Sequence, residues 1–399
     1  MGSVGMASQD TEVSALIDTL RGSLPQKGSD GSYNREQLKD VAERLSIALE
    51  TPGETCQRVT YYPLRTTIVR IATRLNIFNI LIDSNGPISG KELSQKVGAD
   101  HLLLIRLMRF LVAMHVVGEA GVDSYTATTI TRHLAIPKLE AGTKHTYDLI
   151  CMAVMQLDPF LARTGYKNPA DPKHCAFQDA FHTEEGLFEW LPKHPERLKN
   201  FNLYMTGQRD GRANWIDFFP LEEQLAKEFE GGDEAVMLVD IGGARGHEVE
   251  SIKNRYPHLP GRFILQDLPE TVKQALPVKG MEAMEHDFFT PQPIKGARAY
   301  YLRNIMHDWP DSKCQQILSQ TKSAMKPGYS KIILNELVLP DKGMSLTAAQ
   351  LDITMMAALA ATERTERQWR ELIDPVGLRI EKIWTKVVEE ESIIELVPK

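Results

Sequence analysis

The sequence predicts an α/β fold: an open, mainly parallel sheet in the C-terminal half, preceded by a small helical domain of winged-helix shape. Three observations predict it. The stretch 236–248, VMLVDIGGARGHE, reads as a buried strand, a glycine-rich turn and a helix start. Short apolar segments then alternate with helical ones through the C-terminal region, the pattern of a parallel sheet covered by helices. Finally, Asp240, Asp267 and Asp287 stand in register with three consecutive strand segments.

Taken in order, residues 1–35 are expected to form a mobile arm, since 26–33 are rich in Gly, Ser, Asp and Lys. Residues 36–134 carry the winged-helix pattern. Helical spacing runs over 35–50 and 69–75, and Ser89 or Gly90 caps a short helix opening at 89–93. An apolar-rich helix follows at 102–112, and 117–127 alternate around Gly118 and Gly121 as a short hairpin does. Winged helices bind DNA in many settings. Here the helix at 102–112 carries only Arg106 and Arg109, and the run LLLIRLMRFLVAMHVV is more apolar than a small domain can bury alone. A homodimer interface is the expectation, and nucleic acid is not.

Residues 135–225 are expected to be helical and to join the small domain to the sheet. Their Met and aromatic residues, among them Met155, Phe160 and Trp190, are of the type that fills irregular core gaps. Their place between two domains also suits the wall of a substrate pocket.

From 226 to 399, strands are expected near 236–241, 262–266, 298–302, 330–335, 378–384 and 394–397, with a weaker one near 280–284. The last two strands, 378–384 and 394–397, lie close enough to pair as an antiparallel hairpin. The first strand holds six residues, five of them apolar, as a strand buried on both faces does. Gly242, Gly243 and Gly246 let the backbone turn sharply and approach a ligand, and the helix after them offers its N-terminus. In an open parallel sheet a nucleotide-like ligand binds at such a place. Asp267, which ends the second strand, lies about 20 residues beyond the glycines, where an acid accepts from ribose hydroxyls. Asp287 beside Phe288 suits a purine, with one acceptor for the exocyclic amine and a flat apolar face for the ring.

Composition excludes several classes. With 42% apolar and 25% charged residues the chain is an ordinary globular protein. A net charge of −7 and the absence of a long basic run argue against nucleic acid as the main partner. No stretch reaches the roughly 20 apolar residues of a membrane span. The N-terminus lacks a signal-peptide core, and Met6 stands where a myristoylation signal needs Ser or Thr. Cys56, Cys151, Cys175 and Cys314 have neither disulfide-framework nor metal-ligand spacing. A cytoplasmic protein without a metal is the expectation.

The motifs DIGGARGHE, ILQDLPETV, HDFF, LRNIMHDWPDSKC, NELVLPD and ATERTERQW together resemble those of the plant-type small-molecule O-methyltransferases, in their fungal branch. The resemblance spans nearly the whole chain. It implies a Rossmann-like class I methyltransferase sheet closed by a hairpin, an N-terminal dimerisation domain, S-adenosylmethionine as cofactor and a small natural product as substrate. It assigns Gly243 to the methionine end of the cofactor, Asp267 to the ribose, Asp287 and Phe288 to the adenine, and Arg303 to a contact beside the adenosine. Ala244 replaces the family's third consecutive glycine, and Arg303 its frequent lysine. The resemblance makes His307 the general base and Glu336 and Glu363 the carboxylates that orient and polarise it. Methyl transfer is an in-line displacement, so positioning and deprotonation are the enzyme's tasks. For Glu363 a solvated charge within ERTER is the competing reading.

One branch of these proteins is implied to have turned to dehydration and pericyclic reactions, in which a cationic side chain and a histidine hydrogen-bond a substrate carbonyl. His145, Arg209 and Asp308 match that set. His307 stands where Arg or Lys is expected there, so the methyl-transfer set is complete and the other partial. Met155 and Met356 are candidate walls of a flat, apolar acceptor pocket in either case.

Overall fold

A computed structural model describes residues 3–23, 35–207 and 214–399, and the chain divides into two compact units, Met1–Ala135 and Ile136–Lys399. The first opens with a helix, Ser3–Gly22, inside the stretch expected as a mobile arm. Val13, Leu16, Ile17 and Leu20 recur at helical spacing, and Leu16 and Val41 are buried where this helix meets the helix Arg35–Leu49. The composition that suggested an arm belongs to 26–33, which lies outside the described residues.

Helices Tyr62–Arg74, Ile77–Asp83, Gly90–Val97 and His101–Ala113 gather Ile77, Phe78, Leu93, Leu104, Met108 and Leu111 into one core. Ser89 caps the third helix, its hydroxyl accepting from the Glu92 N–H at 3.2 Å. Asp100 caps the fourth through the Leu103 N–H at 2.9 Å. Strands β1 (Ile88–Ser89), β2 (Val117–Gly121) and β3 (Ser124–Ala127) pair antiparallel in the order β1-β3-β2 and make the wing. Leu102 and Leu103 remain exposed.

In the second unit, alternation within each strand decides which face of the sheet a residue buries. The strands are β4 (Val236–Ile241), β5 (Arg262–Asp267), β6 (Met281–Glu285), β7 (Ala299–Arg303), β8 (Lys331–Leu339), β9 (Arg364–Thr365), β10 (Leu378–Trp384) and β11 (Glu391–Pro398). Val239, Tyr300, Leu302, Ile332, Leu334 and Ile394 fill one face, under the helices Asp311–Lys322 and Glu366–Ile373. Leu238, Ala299, Tyr301, Ile333 and Ile393 fill the other with Val249 and Ile252 of the helix His247–Arg255. Helices on both faces explain why β4 is a nearly unbroken apolar run.

The strand order is β10-β11-β8-β7-β4-β5-β6, with β9 beside β8. Strands β4 to β8 run parallel, and β11 is antiparallel to both β8 and β10. The expected hairpin is therefore present. From β4 the chain winds outward to β5 and β6, then returns to β7 on the other side of β4. The direction of winding reverses between β4 and β7. Open α/β sheets hold their ligands at the carboxyl ends of the strands flanking such a reversal. Among the described residues, no helix is long and apolar enough to cross a membrane.

Candidate active site

Two turns leave the sheet at that reversal. The first, after β4, requires glycine at two positions for different reasons. Gly242 has φ +70°, and a Cβ there would lie 2.6 Å from Ile305 Cδ1 and 3.7 Å from Phe288 Cε1. Gly243 has its missing side chain turned inward: a Cβ would lie 2.3 Å from Asp240 Oδ2 and 2.6 Å from Leu265 Cδ1. So Gly242 is the glycine that faces Phe288 and the second turn, while Gly243 is required by packing against β4 and β5. Both N–H groups donate to the Gln266 carbonyl, at 2.7 and 3.2 Å.

Ala244 follows with φ +52°. Its N–H donates to Asp267 Oδ2 at 2.8 Å, and the Leu268 N–H donates to Oδ1 at 2.7 Å. The left-handed conformation is strained for alanine. Ala244→Gly is expected to stabilise the fold by about 1 kcal/mol, since alanine at positive φ costs more than glycine's extra unfolded-state entropy. A rise in the urea unfolding midpoint at unchanged slope checks this.

Asp267 keeps lone pairs beyond these two bonds, so it can still accept from hydroxyls. Burial raises its pKa, and the Leu268 and Ala244 N–H groups oppose that rise. Asp287 is exposed and accepts from the Phe289 N–H at 2.9 Å. Phe288 is half-buried, with its ring 4.9 Å from Phe289 and 6.1 Å from Trp309. Arg303, at the end of β7, is committed to an ion-pair network: Nη1 meets Glu248 at 2.6 Å and Nε meets Glu391 at 2.7 Å. The Trp215 indole N–H donates to the other Glu248 oxygen at 2.9 Å. The glycine cradle, the acid ending β5 and the apolar face of Phe288 are the parts an adenosine cofactor needs.

The second turn follows β7. Asn304 has φ +50°, and the 3-10 turn Met306–Asp308 presents His307. Its Nδ1 lies 2.8 Å from Glu363 Oε1 and its Nε2 lies 3.5 Å from Asp308 Oδ1. Glu363 is 2% exposed, which removes the reading of a solvated charge. The Asp352 carboxyl holds Glu363 in turn, accepting from its N–H at 2.9 Å. Glu336 braces the turn and, among the described residues, has no hydrogen bond to the ring: its Oε1 accepts from the N–H groups of Ile305 and Met306, at 2.9 and 2.7 Å.

The electrostatics of this cluster favour a charged ring. Burial disfavours the imidazolium, but the Asp308 charge, the Glu363 hydrogen bond and the charges of Glu363 and Glu336 outweigh it. Together they push His307 up to about 10. Burial raises Asp308 to about 6, with His307 opposing and Glu363 adding to the rise. Burial likewise raises Glu336 to about 7 against the pull of His307.

A line of aromatic rings leads away from this turn. Trp309 lies 6.0 Å from Phe188, Phe188 6.3 Å from Phe201, and Phe201 5.5 Å from His145. His145 ends the helix Pro137–His145 and is 7% exposed, and its Nδ1 has no hydrogen-bond partner among the described residues. Burial pushes its pKa down to about 4. The π-turn Thr146–Cys151 follows, a backbone irregularity common at functional sites. The helix Leu346–Leu359 touches both this π-turn and the His307 turn and carries half-buried Met356. Met155 is 67% exposed. Arg209 lies outside the described residues.

Sequence reasoning missed Ile305, which packs on Gly242, and Arg364, which is 1% exposed and donates to the Met306 and Trp309 carbonyls. Arg364 sits in ATERTERQW, directly after Glu363. Its available signal was adjacency, but Arg367 and Arg370 nearby are exposed.

Residues 175–379 match the profile of the O-methyltransferase domain, and residues 63–136 that of the O-methyltransferase dimerisation domain. Methyltransferase cfoC of Aspergillus candidus is 41% identical over 97% of this chain and 99% of its own. A solved structure described as a pericyclic reaction enzyme superposes with a TM-score of 0.84 at 33% identity, covering 99% of this chain and 100% of its own. LepI in complex with S-adenosylmethionine gives 0.84 at 34% identity, covering 98% and 100%.

Proposed function

Since the chain belongs to the S-adenosylmethionine-dependent O-methyltransferase family, we propose that it methylates a hydroxyl of an aromatic or polyketide-type fungal metabolite, with His307 as general base. The observation that carries this reading is the 2.8 Å pairing of His307 Nδ1 with Glu363, in a turn packed on Gly242. When bound, the cofactor supplies an electrophilic methyl group on a sulfonium. Gly242, Gly243, Asp267, Asp287 and Phe288 would hold it, with Arg303 reaching from its ion-pair network. Glu363 keeps the Nδ1 proton, so Nε2 is the nitrogen that takes the acceptor's proton. A phenol has a pKa near 10, and against the effect of burial Asp308, Glu363 and Glu336 together raise His307 from the ordinary imidazole range toward it. The acidic partners make the neutral ring a stronger base but leave little of it unprotonated at neutral pH, so turnover through it is expected to rise with pH.

The same pKa supports a second reading. A ring that holds its proton at neutral pH is a hydrogen-bond donor, and with His145 it could serve a dehydratase or pericyclase; one solved neighbour is described as a pericyclic reaction enzyme. Incubation with methyl-labelled S-adenosylmethionine and an extract of the producing organism separates the two. Label in a product supports methyl transfer; a product without label or S-adenosylhomocysteine overturns it.

The pH dependence carries the same distinction. Below about 10 the ring is mostly protonated. If it is the base, kcat/KM rises with pH, about tenfold per unit between 7 and 9. A donor gives a flat profile there and a fall above 10. An ionising phenol would also give a rising limb, so Glu363→Gln is the control. Losing the partner of the charged form lowers the His307 pKa, and the limb moves to lower pH by about one unit or more. A limb set by the phenol stays where it is.

We also infer a homodimer through the dimerisation domain, where Leu102 and Leu103 are exposed. Light scattering is expected to give twice the chain mass at micromolar concentration, and a Leu102→Glu/Leu103→Glu variant to give a monomer.

A further inference from the structure

Glu363 and Arg364 are neighbours in sequence and grip the same turn by different means. Glu363 holds the His307 ring, and Arg364 holds the backbone on either side of it. The Arg364 side chain is 1% exposed. Its Nη1 donates to the Met306 carbonyl at 3.0 Å and to the Thr362 carbonyl at 3.3 Å; Nη2 donates to the Trp309 carbonyl at 3.0 Å. Nε and Nη2 both reach Asp311 Oδ1, at 3.0 and 2.7 Å. The guanidinium also lies 5.2 Å from the ring centre of Trp369, a residue of the sheet's own core.

Glu336 takes the N–H groups of Ile305 and Met306. Glu336 thus takes the two N–H groups before His307, while the Arg364 guanidinium takes the carbonyls on either side of it, which it shares with the Cys314 thiol at 3.1 and 3.3 Å. Only a planar fork of five N–H groups can serve three carbonyls and a carboxyl at once. We propose that Arg364 is a positioning residue for His307: it fixes the Met306–Trp309 backbone so that the ring meets Glu363 and presents its other nitrogen to the acceptor. The last clause rests on His307 acting on the acceptor; the grip on the turn does not.

The test compares Arg364→Lys, which keeps the charge and loses the fork, with wild type. The protein is labelled with 15N-histidine, and the His307 signals are assigned by their loss in His307→Gln. In the folded Arg364→Lys variant the ring loosens from Glu363, and its titration midpoint is expected to fall by about one pH unit or more. An unchanged midpoint in a folded variant overturns the proposal. Where Arg364→Lys fails to fold, Asp311→Asn serves, because Asp311 is 63% exposed and leaves no buried hole. A smaller fall in the same direction is then expected, and no fall overturns the proposal. In turnover, measured as labelled methyl transfer into a metabolite extract, Arg364→Lys is expected to lower kcat at least tenfold with little change in cofactor affinity. It should cost nothing further in a His307→Ala background, as residues acting as a unit do. An equal loss in both backgrounds overturns the positioning role. His307→Ala without loss of turnover overturns the proposed function instead, and leaves the titration to judge Arg364.

Discussion

His307→Ala is expected to lower methyl-transfer turnover by about 10²–10⁴-fold, the usual worth of a general base. The fold should survive, because the turn's backbone is held by Glu336 and Arg364 and not by the ring. Cofactor affinity should change little, since the ring's partners among the described residues are Glu363 and Asp308, neither of them in the glycine turn or at the end of β5. Substitution by a permanent cation makes the experiment decisive. His307→Arg cannot accept a proton and should rescue nothing if the ring is a base. If the ring is a donor to a developing oxyanion, His307→Arg keeps activity, and His145→Ala then costs as much as His307→Ala. Product formation and S-adenosylhomocysteine release, measured on all three variants, distinguish the outcomes.

Asp267→Ala is expected to weaken S-adenosylmethionine binding by about 10–100-fold, on the scale of losing a charged hydrogen-bond acceptor. Two losses combine. The ribose loses its acceptor, and the N–H groups of Ala244 and Leu268 lose the carboxyl that fixes the glycine turn. Titration calorimetry measures this directly, and an affinity within twofold of wild type would remove Asp267 from the cofactor site. Asp267→Asn separates the contributions: it keeps one acceptor for the turn and should fall between the two.

Much of this site is written locally and could be read from the sequence. The glycine turn, the acid ending β5, the HDFF segment and the His307 motif each occupy a few consecutive residues, and the parallel pairing of β4 to β7 gathers them at the carboxyl ends of the strands. What could not be read depends on partners far apart in the chain. Arg303 stands in an ion-pair network with Glu248 and Glu391, and nothing near residue 303 announces either partner. Glu336 acts on the ring through its charge, but its Oε1 also meets two backbone N–H groups, which carry no side-chain signature. Arg364 has the same local pattern as its exposed neighbours Arg367 and Arg370, and only the fold buries it. The helix Ser3–Gly22 was missed because the glycine-rich segment after it dominated the composition, although its apolar spacing was visible.

The place of β11 has a consequence for the order in which the protein can be built on the ribosome. This strand is the last of the sheet in sequence, yet it lies between β8 and β10 and carries Glu391, which holds both Arg303 and Asn304. A nascent chain still short of residue 391 has every glycine and acid of the cofactor cleft but leaves one flank of β8 unpaired and Arg303 without its second carboxyl. Domains tend to fold as units during synthesis. Here the β4–β8 portion must wait, with an exposed strand edge, until β11 has cleared the exit tunnel. That interval is when the chain is most exposed to edge-to-edge pairing with another copy.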